Sequence, residues 1–245
     1  MKVSDSRVLV TGANQGIGQA FVGAFLSAGA ARIYGADLNT DWLEKKAVEE
    51  KRLLPLTLDI RDTDQVANVA EHCPDIDLLI NNAAITQHTS LIRAKKLDRA
   101  RDIIDTNYFG TLHMCRAFAP ILKANGGGMI VNILSIAALV HIPRVGAYSA
   151  SKAAELSMTQ GIRAELTEQG TRVLAVFPGP VDTSFSTHRP PPKAPPLEIT
   201  KATLDAIEQD LEELYPDAVA KEVGAELIRD PKALERRFAA QLPEK

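Results

Sequence analysis

The feature of this sequence that most constrains its fold is a regular alternation of short apolar runs with longer segments of helical spacing. The apolar runs, rich in leucine and β-branched residues, lie at 7–11, 31–37, 53–59, 77–81, 129–135 and 172–178. Between them, apolar residues recur at helical spacing, as at Phe21, Phe25 and Leu26. Because the runs lack polar alternation, they predict parallel strands covered on both faces. We therefore expect an α/β fold, a doubly wound parallel sheet of six to seven strands with helices on both faces, in one domain over 1–245.

A proline-rich stretch, RPPPKAPP at 189–196, is the one compositional break in this pattern. Proline lacks a backbone donor and disfavours regular structure, so we predict a surface loop here and interpret 184–200 as a substrate loop or lid. Residues 201–245 are expected to form a helical carboxyl tail. Its predicted elements are a helix through Ala202, Leu204, Ile207 and Leu211, an edge strand at 212–215, and amphipathic helices over 217–229 and 231–241.

The charge balance argues against nucleic-acid and membrane partners. The 245 residues include 31 acidic and 28 basic side chains, for a formal net charge of −3. Such a chain has no broad basic field to attract nucleic acid or anionic lipid. It shows neither a charged leader before an apolar block nor a run approaching the roughly 18 apolar residues of a membrane span. We therefore predict a cytoplasmic protein.

The two cysteines, Cys73 and Cys115, do not indicate a metal site or a disulfide. Neither belongs to a CxxC pair, and Cys115 lies within an apolar helical pattern. Packed thiols are therefore favoured.

The segment TGANQGIG at 11–18 directly follows the first predicted strand and opens the first helix. Glycines at 12, 16 and 18 permit a tight turn, close backbone approach to a pyrophosphate and close packing of helix on strand. The amino end of the helix adds unpaired N–H groups. Glycine is also common in ordinary turns, but this position between strand and helix favours dinucleotide binding.

Asp37 ends the second predicted strand, where a carboxylate can accept hydrogen bonds from both hydroxyls of an adenosine ribose. A 2′-phosphate would meet a like charge there, and no arginine or lysine lies in the glycine turn or immediately after Asp37. NAD(H) is therefore favoured over NADP(H). The alternative is that Asp37 is a strand-end turn residue preceding Asn39 and Asp41.

Further motifs follow in a fixed order. They are LDI at 58–60, NNAA at 81–84, Asn107 in DTNYFG, Ser135 in NILS, YSASK at 148–152 and PGPVDT at 178–183. Over roughly residues 7–183 the chain thus resembles the short-chain dehydrogenase/reductase (SDR) family, which implies a Rossmann fold and an NAD(P)-dependent oxidoreductase. The resemblance implies cofactor contacts from Gly12, Asn14, Gln15, Gly16, Ile17, Gly18, Asp37, Leu38, Asp59, Ile60, Asn82, Ala83, Ala84, Tyr148, Lys152, Pro178, Gly179, Val181 and Thr183.

Some of these implied contacts have specific roles. Asp59 is expected near the adenine and Ile60 against its ring, although Asp59 could also be a polar residue at a strand end. Asn82 is expected to order the end of the fourth strand, while Ala84 departs from the glycine usual in the family. Thr183 is expected to contact the nicotinamide carboxamide, a role compatible with capping the next helix.

Reduction of a carbonyl requires a hydride donor and a proton for the oxygen as negative charge develops there. A free tyrosine, with a pKa of about 10, is a poor acid–base group at neutral pH. Lys152, one helical turn from Tyr148, can stabilise the phenolate, and the family implies that it also reaches a cofactor ribose. Ser135 is expected to donate to the substrate oxygen, and Asn107 to distort its helix and hold a water that relays protons from Lys152. In the alternative interpretation, Ser135 and Asn107 are ordinary polar residues of a strand end and a helix.

The walls of the substrate pocket are expected from 136–147 and 184–200. The candidates are Ala137, Val140, His141, Val145 and Phe185, which favour a modestly hydrophobic ketone or secondary alcohol. His141 is more simply a surface histidine. His188 and Arg189 could meet an anionic substrate, although a solvated loop is favoured.

The leading hypothesis is reversible hydride transfer between NAD(H) and a ketone or secondary alcohol, with Tyr148 as the acid–base group. The alternatives are a catalytically silent dinucleotide-sensing regulatory protein and an NADP-preferring carbonyl reductase. We expect a homo-oligomer, dimer or tetramer. The long helices around 97–124 and 148–169 could form a dimer contact, whereas the carboxyl tail lacks the family's frequent closing pattern, which argues against the usual tetramer.

Overall fold

The computed structural model describes residues 1–87, 90–187 and 192–242. Within them, seven parallel strands form one sheet in the order β3-β2-β1-β4-β5-β6-β7. The strands are β1 (Arg7–Thr11), β2 (Arg32–Asp37), β3 (Leu53–Thr57), β4 (Leu78–Asn81), β5 (Gly128–Ile133), β6 (Thr171–Val176) and β7 (Glu213–Leu214). The predicted fold class is confirmed, and the expected edge strand is a two-residue β7 beside β6.

Helices connect the strands, and two more helices come after the last strand in the chain. They are α1 (Gly16–Ser27), α2 (Asp41–Glu49), α3 (Thr63–His72), α4 (Asp98–Ile104), α5 (Thr111–Ala124), α6 (Gly146–Leu166), α7 (Pro196–Glu208), α8 (Ala218–Arg229) and α9 (Pro231–Ala239). A π-helical segment, Asp105–Gly110, joins α4 to α5. None of the helices in the described ranges is long and apolar enough to cross a membrane.

Both faces of the sheet are buried, which explains the unbroken apolar runs. On β1, Val8 and Val10 belong to a core under α1 and α7, whereas Leu9 belongs to the opposite core with Phe118 of α5. Since alternate residues of a strand point to opposite faces, a strand between two helical layers needs apolar residues at every position. The fold therefore depends on two cores rather than one.

The carboxyl tail adds a third apolar cluster. Val223 of α8 and Phe238 of α9 pack with Ile136, Val140 and Tyr148 from the segment after β5 and the start of α6. The tail therefore supports the part of the chain that carries the predicted tyrosine. Both predicted tail helices are present.

Described residues on both sides of the predicted proline-rich loop make regular contacts. Val181 and Ala194 form an isolated parallel β-bridge, so Ala194 lies against the turn that follows β6. Helix α7 begins at Pro196, and its Ile199 and Thr200 are fully buried. The last five residues of the predicted loop 184–200 therefore belong to a core helix, because proline is well tolerated in the first turn of a helix.

Candidate active site

Loops at the carboxyl ends of the strands enclose a crevice with a volume of about 390 Å³. It lies where the strand order reverses beside β1 and β4, the position at which doubly wound sheets bind ligands. The predicted site residues that line it are Gly12, Gln15, Gly16, Ile17, Asp37, Leu38, Asp59, Ile60, Asn82, Ala83, Ala84, Ser135, Val145, Tyr148, Lys152, Pro178, Gly179, Val181, Thr183 and Phe185. Six predicted residues lie outside this lining: Asn14, Gly18, Asn107, Ala137, Val140 and His141.

The glycine turn is tightly built at one end of the crevice. Gly12 has a φ of 64°, in the left-handed region that favours glycine. A Cβ on Gly18 would lie 2.0 Å from the Gly12 carbonyl oxygen, so this position packs the helix closely against the turn. Asn82 donates from Nδ2 to the carbonyls of Thr11 and Gly12 at 3.0 and 3.1 Å. Asn82 thus orders the end of β4 against the glycine turn, and its predicted role against the cofactor remains a prediction.

Asn14 has a different position from the one predicted. Its Oδ1 accepts the backbone N–H groups of Trp42 and Leu43 at 3.0 and 3.3 Å, which satisfies two free donors at the start of α2. The side chain therefore holds α2 against the glycine turn instead of facing the crevice. A cofactor contact of Asn14 remains a prediction.

Asp37 is oriented by backbone groups at the mouth of the crevice. Its two carboxylate oxygens accept the N–H of Asn14 at 3.0 Å and the N–H of Asn39 at 3.3 Å. The residue is half-buried, and Leu38 beside it is 65% exposed. Since a carboxylate has about four acceptor positions, Asp37 keeps capacity for ribose hydroxyls.

Arg61 lines the same end of the crevice and was not predicted. Its guanidinium lies 2.6 Å from the Asp59 carboxylate, and these hydrogen bonds lower the pKa of Asp59. Asp59 is thus already paired within the protein. Ile60 is buried against Gly110, so only part of its surface remains for an adenine. Because Asp59 and Arg61 lie only two residues apart, the sequence could have indicated this ion pair.

Tyr148 and Lys152 lie in the first two turns of α6, on its buried side. The Lys152 Nζ is 5.8 Å from the centroid of the Tyr148 ring, close enough for its charge to act on the phenol. Phe185 packs edge-on against Tyr148 with a centroid distance of 5.8 Å. The predicted pair therefore faces the crevice under an aromatic side chain.

Ser135 follows β5 and lines the same crevice as Tyr148. Its Oγ accepts the N–H of Ala137 at 3.1 Å, which caps the 3₁₀ turn Ile136–Ala138. Because the oxygen is the acceptor in this bond, the hydroxyl hydrogen remains available to donate. The two roles considered for Ser135, cap and donor, are therefore compatible.

Asn107 is fully buried within the π-helical segment, so the predicted helix distortion is present. Its side chain exchanges hydrogen bonds with the backbone of Ile85 at 2.8 and 3.0 Å and donates to Ser151 Oγ at 2.9 Å. It thus ties the segment after β4 to α6. The predicted water relay remains a prediction.

Glu155 is a further charged residue at this site that sequence reasoning missed. It lies one turn beyond Lys152, and both side chains are 2% exposed. Its Oε2 is 2.9 Å from the Lys152 Nζ. Burial raises the pKa of the Glu155 carboxyl to about 7, although Lys152 opposes this shift. Desolvation outweighs the attraction because the charged carboxylate is removed entirely from water.

The turn after β6 is held by a residue from the carboxyl tail. Asp217, 2% exposed, accepts the Gly179 N–H at 2.7 Å and the Ala220 N–H at 2.9 Å. Thr183 lies against Gly16 and makes no side-chain cap bond, so its hydroxyl is available to a ligand. No sequence pattern connects Asp217 to this turn.

The residues predicted for the substrate wall lie in different surroundings. Val145 and Phe185 line the crevice, whereas Ala137 and Val140 pack into the cluster beneath α8 and α9. His141 is exposed on the surface, in agreement with its simpler interpretation. The tail covers the segment that holds Ala137 and Val140, so a substrate contact of these two residues remains a prediction. His188 and Arg189 lie outside the described residues.

Both cysteines are buried and free. Desolvation raises the pKa of each thiol to about 12, so the interpretation as packed thiols is confirmed. No group of three or more histidine, cysteine or acidic residues in the described segments is arranged to hold a metal.

A doubly wound sheet with a glycine turn at its switch point defines a dinucleotide-binding protein. The family model of the short chain dehydrogenases matches residues 6–193. The chain therefore belongs to the short-chain dehydrogenase/reductase family, as its motifs indicated, and is an NAD(P)-dependent oxidoreductase acting on CH–OH groups.

Individual relatives agree with this assignment. An NADP-dependent 3-hydroxy acid dehydrogenase of Schizosaccharomyces pombe is 30% identical over 93% of this chain and 89% of that protein. A sorbitol dehydrogenase of Cereibacter sphaeroides is 34% identical over 74% of this chain and 73% of that protein. The crystal structure of a short chain dehydrogenase from Burkholderia cenocepacia in complex with NADP is 41% identical, with a TM-score of 0.92 over 97% of this chain and 99% of that one.

Proposed function

We propose that the protein catalyses reversible hydride transfer between NAD(H) and a ketone or secondary alcohol, with Tyr148 as the acid–base group. The observation that carries this proposal is that Ser135, Tyr148 and Lys152 line one crevice together with the glycine turn and Asp37. This arrangement would hold a nicotinamide at the tyrosine end and an adenosine at the carboxylate end.

The nucleotide, when bound, supplies or accepts the hydride. In the reductive direction, Ser135 donates to the carbonyl oxygen of the substrate, and Tyr148 transfers its proton to the same oxygen. Lys152 stabilises the phenolate that remains. The side chain of Phe185 packs edge-on against the Tyr148 ring and shields part of it from water. In the oxidative direction the phenolate of Tyr148 removes the hydroxyl proton.

A panel of ketones with NADH, and of alcohols with NAD, tests this function. Tyr148→Phe is expected to lower kcat/KM by about 10²- to 10⁴-fold, the usual contribution of a general acid. Tyr34→Phe is a suitable control, because the Tyr34 hydroxyl bonds to Asp75 at 2.7 Å, away from the crevice lining. A loss below about tenfold for Tyr148→Phe would reject the phenol as the acid. Tight NADH binding without turnover on any substrate would instead favour a nucleotide sensor.

NAD(H) is proposed as the preferred cofactor because the Asp37 carboxylate, held by backbone N–H groups at the end of β2, would repel the 2′-phosphate of an adenosine bound at this end of the crevice. Titration of the enzyme with both nucleotides is expected to show tighter binding of NAD than of NADP. Asp37→Ala is expected to reduce the difference between the two affinities. Tighter binding of NADP by the unmodified enzyme would reverse the assignment.

NADP(H) is the second candidate because a 41% identical structure is described in complex with it and Arg61 lines the crevice. If Arg61 bound a 2′-phosphate, Arg61→Ala would weaken NADP binding and leave NAD binding unchanged. We expect no such selective loss, since Arg61 is held by Asp59.

The substrate is proposed to be modestly hydrophobic, because Val145 and Phe185 form part of the wall beside Tyr148. The expected result is a kcat/KM that rises with the apolar area of the ketone and falls for polyols.

A homo-oligomer is also proposed, since Leu97 and Phe109 are 58% and 44% exposed at the ends of the α4 and π-helical stretch. Light scattering coupled to size-exclusion chromatography measures its mass, and a monomer would contradict this proposal.

A further inference from the structure

The buried ion pair of Lys152 and Glu155 is an unusual feature beneath the crevice. Both side chains are 2% exposed, and their charged atoms are 2.9 Å apart. A buried pair is costly to desolvate and is stable only with good geometry and further hydrogen bonds. Replacement of either partner leaves the other charge without compensation. The position of Glu155 therefore has consequences for Lys152.

The Lys152 ammonium is fixed on its interior side. It donates to the Ile133 carbonyl at 3.0 Å and to Glu155 Oε2 at 2.9 Å, while its Nζ stays 5.8 Å from the Tyr148 ring. An ammonium has three donors, so two N–H bonds anchor the group and the third remains for the crevice. Glu155 thus determines where the lysine charge lies relative to the phenol.

Glu155 is itself enclosed by helices α5 and α6 and strands β4 and β5. The titratable group that acts on it is Lys152 on its own helix. The thiol of Cys115 on α5 lies near enough for Glu155 to raise its pKa further, beyond the larger effect of burial. The strands contribute the neutral Asn81 and Asn132, which bond to each other at 2.9 Å. Asn132 Nδ2 donates to Thr159 Oγ1 at 2.9 Å, and the Thr159 hydroxyl donates to the backbone carbonyl of Glu155 at 2.7 Å.

Two acceptors in this buried region have no hydrogen-bond partner among the residues that the structure describes, Glu155 Oε1 and Asn81 Oδ1. A buried acceptor without a partner is destabilising by about 1 to 3 kcal/mol. A carboxylate placed in this way is therefore not explained by stability. Such residues are concentrated at functional sites.

We propose that Glu155 is a positioning residue of the active site, whose carboxylate holds Lys152 charged and fixed beside Tyr148. The inference rests on the proposed function, since it gives Lys152 the task of stabilising the Tyr148 phenolate. Glu155 itself does not line the crevice and acts only through the lysine. Without its carboxylate, the buried ammonium loses its compensating charge, and a neutral amine no longer favours the phenolate.

The test compares Glu155→Gln with Glu165→Gln, the same change at an exposed position of α6. The ionisation of Tyr148 is followed by the ultraviolet absorbance of its phenolate with NAD bound, as the difference from Tyr148→Phe in each background. Glu155→Gln is expected to raise the midpoint by about one pH unit or more, the usual effect of one nearby charge. Glu165→Gln is expected to leave it in place. With an active substrate, kcat falls at neutral pH while the KM for the cofactor changes little.

An unshifted midpoint combined with lower thermal stability would show that Glu155 is only structural and would overturn the proposal. A shift to lower pH would overturn it as well, because the carboxylate would then weaken the effect of Lys152. If Glu155→Gln does not fold, Glu155→Asp retains the charge one methylene further away. Its midpoint is expected near that of the unmodified enzyme with a reduced kcat, and an unaltered kcat would contradict the positioning role.

The titration needs no substrate, so it separates this proposal from the proposed function. Full activity of Tyr148→Phe would reject the phenol as the acid without altering the measured coupling between Glu155 and Tyr148. Conversely, an unshifted midpoint alongside a large loss for Tyr148→Phe would reject the role of Glu155 alone.

Discussion

The carboxylate of Asp217 joins the carboxyl tail to the nicotinamide end of the proposed site, and its removal is expected to weaken both. One oxygen accepts the Gly179 N–H at 2.7 Å, and the other accepts the Ala220 N–H at 2.9 Å as the N-cap of α8. The residue is 2% exposed, so water cannot readily replace it. A single side chain thus satisfies donors on two separate elements.

The cost of Asp217→Ala follows from these two bonds. A hydrogen bond to a charged group contributes about 1.5 to 3 kcal/mol, and loss of an N-cap costs about 0.5 to 2 kcal/mol. The free energy of unfolding is therefore expected to fall by about 2 to 5 kcal/mol. Asp217→Asn retains one acceptor oxygen, and asparagine caps helices well. It should keep the cap of α8 and lose the bond to Gly179, with a smaller loss of stability.

Urea unfolding followed by the fluorescence of Trp42, the single tryptophan, measures these changes. Asp230→Ala is the matched control, because Asp230 caps α9 through the Ala233 N–H at 2.9 Å and makes no second bond of this kind to the site. Its expected cost is about 1 kcal/mol. Nucleotide affinity should fall for Asp217→Asn and stay unchanged for Asp230→Ala. Equal losses of stability in the two alanine variants, with unchanged nucleotide affinity, would refute the proposed link.

Three further outcomes are expected. Gly18→Ala places a Cβ 2.0 Å from a backbone oxygen of the glycine turn and should abolish nucleotide binding in a titration, whereas Gly23→Ala, which meets open space on the same helix, should bind normally. Cys73 and Cys115, each with a pKa raised to about 12 by burial, should resist alkylation at pH 8 in the native protein and react after unfolding; rapid native labelling would contradict their burial. Because the pKa of Glu155 is raised from 4.5 to about 7 on folding, the native state binds an extra proton between these values. The stabilisation that Glu155 contributes is thus fully present below its unfolded pKa of 4.5 and is lost as the pH rises through its folded pKa of about 7. The free energy of unfolding changes by about 3 kcal/mol over this range. Glu155→Gln should flatten this slope in urea titrations, and an unchanged slope would refute it.

The parts of the fold that were predicted correctly depend on patterns contained within single segments. Val8, Leu9 and Val10 reveal a strand buried on both faces because each side chain has its own apolar layer. The glycine turn is similarly local, since the clash at Gly18 involves Gly12, only six residues away. Both features are determined by sterics and burial over a few residues.

Contacts between distant segments were not predictable in this way. Asn14 was expected at the cofactor, but its oxygen accepts the N–H of Trp42, and nothing in either segment indicates the other. Glu155 has the spacing of an ordinary ion pair on a helix surface, and only the packing of α6 against the sheet reveals that it is buried. Val140 was predicted to line the pocket. It packs in the same cluster as Val223 of α8, and the sequence does not indicate that α8 lies above it.

The two ends of the crevice are held by different parts of the chain, and this has a consequence for specificity. At the adenosine end, Asn14 ties the glycine turn to α2 while its N–H orients Asp37. At the nicotinamide end, Asp217 holds Gly179 from the carboxyl tail, outside the residues matched by the family model. Under the proposed function, changes in the tail are therefore expected to alter the position of the nicotinamide relative to Tyr148 and to leave recognition of the ribose unchanged. On this basis substrate choice should be more sensitive to the tail than cofactor choice is.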